Sequence, residues 1–290
     1  MILLEVKNLK LGFGRKKQVL KDVSFTVSKG KVVAYVGRNA AGKTTTIKTI
    51  LGLYVPESGE VNLFGETRRG KQVKLRERIG YVPEVHDFYD GISVYGALDY
   101  ISSFYPTWDK SYEKKLVKQF DLDYKSTFKS LSRGQKAKLF LTFALSHRPE
   151  LLILDEPTSH LDPVARVEFW ESTIDLIAET EVAVFVSTHI LTDIENVADE
   201  YILLNKGYID FQTVAEELRQ SIKTTFVTKE AFEQIPEEEK KNIVAKTRGM
   251  KGYDIYARAP YLKGNFKWET ASLENIIISY LRKNEEKDAA

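Results

Sequence analysis

Cysteine is absent from the 290 residues and methionine occurs only twice. The first absence excludes disulfides and thiolate metal sites, and it suits a cytosolic chain. Sparse Met and Cys beside 29% charged residues is a composition that accompanies heat tolerance. Long apolar runs are missing too: none approaches the roughly 18 residues that a membrane-crossing helix needs. Net charge is scarce. Against 43 Lys and Arg stand 41 Asp and Glu, so the formal charge is only +2 and does not point to nucleic acid. The opening MILLEVKNLK meets Glu5 at once and has no small-residue cleavage site, so no signal peptide is expected. No internal repeat or low-complexity linker stands out. His86, His147 and His160 lack metal spacing and are expected on the surface or in loops.

What is present is enough to fold. Hydrophobic residues make up 43%, and the length allows one large domain or two unequal ones. ILLEVKNLKL and VLKDVSFTV read as strands, and KVVAYVG as a short buried strand stopped by Gly37. After Gly42 the apolar positions Ile47, Ile50 and Leu51 take helical spacing. Residues from about 85 to 130 form an aromatic-rich helical insert. ELLILDEP and VAVFVSTH are further apolar strands, with a helix from about Pro163 to Thr180 between them. Alternation of strand and helix argues for a mostly parallel sheet covered by helices, an α/β fold. The texture changes near Thr213, where Thr213 and Glu216 have capping-box spacing. Beyond about residue 221, TTFVTKEA, NIVAKTRG and YDIYARAP read as three short strands. A last helix carries Leu273, Ile276, Ile277, Tyr280 and Leu281 on one stripe. The expected division is 1–220 and 221–290, the second part a small α+β appendage.

Gly37, Gly42, Lys43 and Thr44 satisfy G-x-x-x-x-G-K-[ST], between a strand and a helix. Glycines let backbone N–H groups approach a triphosphate, and the following helix turns its free N–H groups and positive dipole end toward the anion. Arg38, Asn39, Ala40, Ala41 and Thr45 complete this loop. Lys43 supplies charge at the phosphates and Thr44 a hydroxyl for Mg2+. LLILDE then ends an apolar strand in two acids. Asp155 suits a Mg2+ ion held through water. Glu156 suits the task of orienting or deprotonating an attacking water.

LSRGQ, at Leu131–Gln135, resembles the signature of ABC-type ATPases, and it is one of an ordered set. Phe13 resembles the aromatic that stacks on adenine, YVPE the Q-loop region with Glu84 in the glutamine position, SHLD the D-loop with Asp162, and THI the switch histidine, His189. The likeness covers residues 1 to about 220. It implies a P-loop NTPase core with an antiparallel β subdomain, and ATP and Mg2+ as cofactors. It implies that Ser132, Gly134 and Gln135 close on the γ-phosphate of a second subunit, and that His189 holds the attacking water in line. Glu84 would join Thr44 and Asp155 near the metal. Three positions depart from the family pattern. Arg133 replaces the first signature glycine and faces either nucleotide or, in the preferred reading, solvent; Glu84 replaces Gln; Phe13 lacks a tyrosine hydroxyl.

The resemblance implies an active ATPase subunit of a transporter, similar to bacterial and archaeal exporter subunits and to antibiotic- or acetoin-related systems. Its partners would be a separate transmembrane permease and a second ATP-binding subunit, as a homodimer or a paralogue heterodimer, with no direct nucleic acid. It would sit in the cytoplasm on the inner face of the membrane. Two other functions stay open: a soluble ABC-type ATPase acting on nucleic acid or ribosomes, and a nucleotide-binding scaffold without turnover.

Overall fold

The computed structural model describes residues 1–14, 17–67, 73–258, 262 and 266–288. They divide into two compact units, Met1–Gln212 and Thr213–Ala290.

The first unit is built on a ten-stranded sheet. Its strands are β1 (Ile2–Phe13), β2 (Lys17–Ser28), β3 (Val32–Val36), β4 (Ser58–Leu63), β5 (Glu66–Thr67), β6 (Ile79–Val82), β7 (Leu151–Asp155), β8 (Ala183–Thr188), β9 (Glu200–Asn205) and β10 (Tyr208–Val214). The spatial order is β5-β4-β1-β2-β10-β9-β3-β8-β7-β6. One end is an antiparallel group, in which β1 pairs with both β2 and β4. The other is parallel, with β3 between β8 and β9 and with β7 between β6 and β8. Every residue of β3, β7 and β8 is buried, as expected of parallel strands covered on both faces. Phe25, Tyr35 and Phe185 fill the space between strands with centroids 5.1–5.3 Å apart, each burial stabilising by about 1.5–3 kcal/mol.

The helices of this unit are α1 (Lys43–Ile50), α2 (Val73–Arg76), α3 (Val94–Ser102), α4 (Lys110–Gln119), α5 (Arg133–Leu145) and α6 (Pro163–Thr180). α3 and α4 form the insert, and both start on side-chain caps, Ser93 and Asp109. α3 buries Val94, Ala97 and Leu98, yet leaves Tyr95 and Tyr100 exposed, as is Phe104 just beyond its end. His147 corrects the surface assignment: it is buried, stacked on Tyr105 at 4.1 Å, with Nε2 3.2 Å from the Ile79 carbonyl oxygen. It does lie in the turn that follows α5, but that turn faces inward rather than to solvent.

The second unit contains α7 (Ala215–Ser221), β11 (Lys223–Thr228), α8 (Lys229–Glu233), α9 (Glu237–Lys240), β12 (Ile243–Arg248), β13 (Gly252–Ala257), β14 (Glu269–Thr270) and α10 (Leu273–Asp288). Its antiparallel sheet has the order β12-β13-β11-β14. α10 buries Leu273, Ile276 and Ile277 and packs on β12 and α7. That packing puts α7 in this unit, so the division falls ahead of residue 220. The capping box expected at Thr213 is absent. α7 has Val214 as its N-cap without a side-chain bond, and the Thr213 hydroxyl donates instead to Glu217 Oε2 at 2.9 Å. The chain is still extended at Thr213, one residue too early to cap.

Candidate functional site

The carboxyl ends of β3, β8 and β7 lie side by side, with Val36 in register with Thr188 and Asp155 with Ser187. Loops leaving parallel strands at such an end converge there, which is where open α/β sheets bind ligands. The loop after β3 turns sharply into α1. Ala40 has φ +63° and Gly42, the α1 N-cap, has φ +114°. A Cβ at Gly42 would lie 2.8 Å from Leu20 Cδ2, so this residue must be glycine for both strain and space. Gly37 is needed for another reason: a Cβ there would stand 2.6 Å from the Leu204 carbonyl oxygen. Below the loop, the buried Tyr35 hydroxyl is 3.1 Å from Thr46 Oγ1, which donates to the Gly42 carbonyl oxygen at 2.9 Å. α1 starts with no capping side chain and no acid in its first turn. Its first N–H groups therefore face outward as an anion cradle.

Lys43 lies under that cradle. Its Nζ donates to the carbonyl oxygens of Gly37 at 2.7 Å and Arg38 at 3.3 Å, and pairs with Glu156 Oε1 at 3.0 Å. The Lys43 and Glu156 side chains are only 6% and 7% exposed. The other Glu156 oxygen, Oε2, is 2.7 Å from His189 Nδ1, and it also accepts the His189 backbone N–H at 3.3 Å. A carboxylate has only acceptors, so the shared ring proton sits on Nδ1. Nε2 then donates to a phosphate oxygen only in the imidazolium form. Thus a cationic anchor and a histidine meet on one carboxylate.

Asp155 forms the adjoining corner. Its Oδ1 accepts from Ser187 Oγ at 2.6 Å and from Thr44 Oγ1 at 3.3 Å. Its Oδ2 is buried and has no hydrogen-bond partner. Burial is the main force pushing the Asp155 pKa up; the Ser187 and Thr44 bonds oppose it, while the Glu84 and Glu156 charges add to it. An orphaned carboxylate oxygen beside a threonine hydroxyl is a hard-oxygen donor set of the kind Mg2+ takes. The residues present therefore fit that ion.

Phe13, 48% exposed, borders a hollow of about 340 Å3 with Val19, Ala40, Gly42, Lys43, Thr44 and Thr45. Its ring and that of Tyr54 are T-shaped with centroids 5.3 Å apart, and the exposed part of Phe13 is available to a flat base. Arg38 and Asn39 are exposed on the loop, with Ala41 half-buried behind them. Lys43, Thr44, Asp155, Glu156, His189 and Phe13, separated by up to 176 positions in the chain (189 − 13), are thus gathered around one loop.

The remaining sequence-derived residues gather elsewhere. Ser132 caps α5 in a reciprocal box with Gln135: Ser132 Oγ accepts the Gln135 N–H at 3.1 Å and Gln135 Oε1 accepts the Ser132 N–H at 3.0 Å. Asp162 caps α6 through the N–H groups of Val164 and Ala165. A Cβ on Gly134 would make only an ordinary 3.5 Å contact with Ala165, so nothing within the chain forbids a side chain there. Arg133 opens α5 at negative φ, is exposed, and donates to the His160 carbonyl oxygen at 3.3 Å. Glu84, with its Oε1 3.9 Å from His160 Nε2, lines a separate hollow of about 290 Å3 with Arg133 and Lys136. Its charge reaches Asp155, although its side chain faces the other group. Sequence reasoning missed Ser187 and the Tyr35–Thr46 pair. Strand register alone brings Ser187 to Asp155, and no motif spacing announces it.

A family model described as "ABC transporter" matches residues 20–159. A putative ABC transporter ATP-binding protein of Mycoplasma pneumoniae is 36% identical over 216 residues, spanning 72% of this chain and 66% of that protein. The bacitracin transport ATP-binding protein BcrA of Enterococcus faecalis is 32% identical over 219 residues, 75% of this chain and 71% of its own. A solved structure of the ATP binding subunit of an ABC transporter superposes with a TM-score of 0.67 at 31% identity, over 75% of this chain and 92% of that one.

Proposed function

The chain belongs to the ABC transporter family of ATP-binding proteins, and from that premise we propose that it binds and hydrolyses ATP to drive a separate transmembrane permease through closure of a dimer. The observation that carries the reading is the convergence of Lys43 and His189 on Glu156, with Lys43 itself lining the hollow that Phe13 and the α1 N-terminus border.

Each residue then has a task. Phe13 stacks on the base, and the backbone from Gly37 to Thr45 takes the phosphates. Lys43 exchanges its Glu156 partner for phosphoryl oxygen, which releases the carboxylate to orient and deprotonate the attacking water. Such general-base help is worth about 10²–10⁴-fold. His189 keeps Glu156 in place through Nδ1. Thr44 Oγ1 and Asp155 would hold Mg2+, with Glu84 reaching it only through water from the neighbouring hollow, and the ion would supply charge neutralisation on the phosphates. Ser132, Gly134 and Gln135 at the start of α5 and Asp162 at the α6 N-cap are not among the residues lining the hollow beside Lys43, and Gly134 has room for an incoming group. This arrangement supports the reading that they serve the nucleotide of a second copy or of a paralogue. Among the described residues no helix is long and apolar enough to cross a membrane. In this reading the subunit therefore sits on the inner membrane face through its permease, with no nucleic acid needed. The name of the bacitracin-transport relative supports the transport arm.

The test is ATP turnover by the purified chain, with co-purification of a membrane protein from its native host. Lys43→Ala should abolish nucleotide binding. Wild-type affinity in that variant would overturn the cradle assignment.

A further inference from the structure

Ser187 lies in β8, fully buried, between the two acids. Its Oγ donates to Asp155 Oδ1 at 2.6 Å and accepts the Glu156 backbone N–H at 3.1 Å. The direction of both bonds is fixed by chemistry. A carboxylate only accepts and an amide N–H only donates, so the single hydroxyl proton goes to Asp155 and a lone pair faces Glu156. The same amide also reaches the Ser187 carbonyl oxygen at 3.1 Å. Glu156 sits at φ +48°, a left-handed conformation that a residue with a Cβ holds only when its surroundings impose it. With Oδ1 occupied by Ser187 and Thr44, the orphaned Asp155 Oδ2 is the oxygen left for a metal's water shell.

We propose that Ser187 is a positioning residue that sets both site carboxylates with one hydroxyl. Its proton fixes the rotation of Asp155 so that Oδ2 stays available, and its oxygen pins the backbone bend that carries Glu156 toward Lys43 and His189. Hydrogen-bond partners of metal-site carboxylates are worth about 10- to 100-fold in metal affinity or activity. The role rests on the ATPase reading only for its effect on turnover; the hydrogen bonds themselves do not require it. Alanine at this position removes both bonds and leaves Asp155 Oδ1 with Thr44 alone. Threonine restores both in a β-branched residue that suits a strand. Cysteine fills the volume with a weak donor and a weak acceptor.

The experiment uses the full chain with Ser187→Ala, Ser187→Cys and Ser187→Thr. Three quantities are read: hydrogen exchange at the Glu156 amide, affinity for Mn2+ in the presence of ADP by electron paramagnetic resonance, and kcat with KM for ATP. In the Ala and Cys variants, Glu156 exchange should accelerate and Mn2+ affinity should fall by about 10- to 100-fold. ADP affinity without metal and KM should change little, kcat should fall, and Thr should recover much of the loss. Wild-type exchange and wild-type Mn2+ affinity in both variants would overturn the proposal; should Ala not fold, Cys decides alone. If these two arms respond while the wild-type chain shows no turnover, the ATPase reading fails and the role of Ser187 stands.

Discussion

Glu156 draws its place from neighbours far off in sequence. Lys43 and His189 hold its two oxygens, and Ser187 holds its backbone. Replacing His189 with Ala therefore frees one oxygen without touching the cradle. Turnover should fall about 10²–10⁴-fold while nucleotide affinity, read by ADP titration, stays near wild type; an unchanged kcat would make the histidine structural. His86 makes a different kind of prediction. Burial, then the nearby His160, depresses its pKa to about 4. The unfolded chain takes up that proton near pH 6.5 while the folded chain resists until about pH 4. Stability is therefore lost as pH falls through this window. His86→Gln should lose less melting temperature between pH 7 and 5 than wild type does, and equal losses would contradict the assignment. His147, also depressed by burial, adds to the same slope and remains in the variant. Lys43, Thr44, Asp155, Glu156 and His189 were legible because each sits at a fixed spacing from a glycine, a strand end or another motif. Ser187 was not, since its partners come from a different strand and only the Asp155–Ser187 register unites them.

The strand-loop-helix unit from β3 to α1 does its work through backbone shape. Gly42 combines φ +114° with a Leu20 methyl only 2.8 Å from where a Cβ would stand, so Gly42→Ala must both strain the turn and push on β2. ATP binding should drop at least about tenfold, with left-handed strain of about 1–3 kcal/mol lowering the melting temperature as well. Unchanged affinity in a titration would mean that the loop reshapes freely. β3, β7, β8 and α6 were readable from unbroken apolar runs or from caps, and α6 spans the expected Pro163–Thr180. α5 was not read as a helix: the run Leu141–Leu145 is buried almost all round, so no stripe betrays the 3.6 period. The opposite failure occurred at Thr213, where capping-box letters were present without the backbone that makes a cap. In α3 the aromatic spacing marks a helix correctly, and Tyr95 and Tyr100 face outward from it.

At the scale of the whole molecule, the α/β core with its parallel and antiparallel regions was visible in the order of its elements. The edge between the units was less so, because α7 joins the second unit by packing on α10. Every residue assigned to ATP lies within Met1–Gln212, yet Ser132, Gly134, Gln135 and Asp162 stand at the N-termini of α5 and α6 rather than in the hollow beside Lys43. In the proposed dimer a second molecule unites the two sets around each nucleotide. Light scattering of Glu156→Gln with saturating ATP and Mg2+ tests it most directly, because that variant should bind ATP and fail to release it by hydrolysis. The expected particle has twice the chain mass and reverts to the single chain when Lys43→Ala is added; a single-chain mass for Glu156→Gln with ATP demonstrably bound would contradict the proposed dimer.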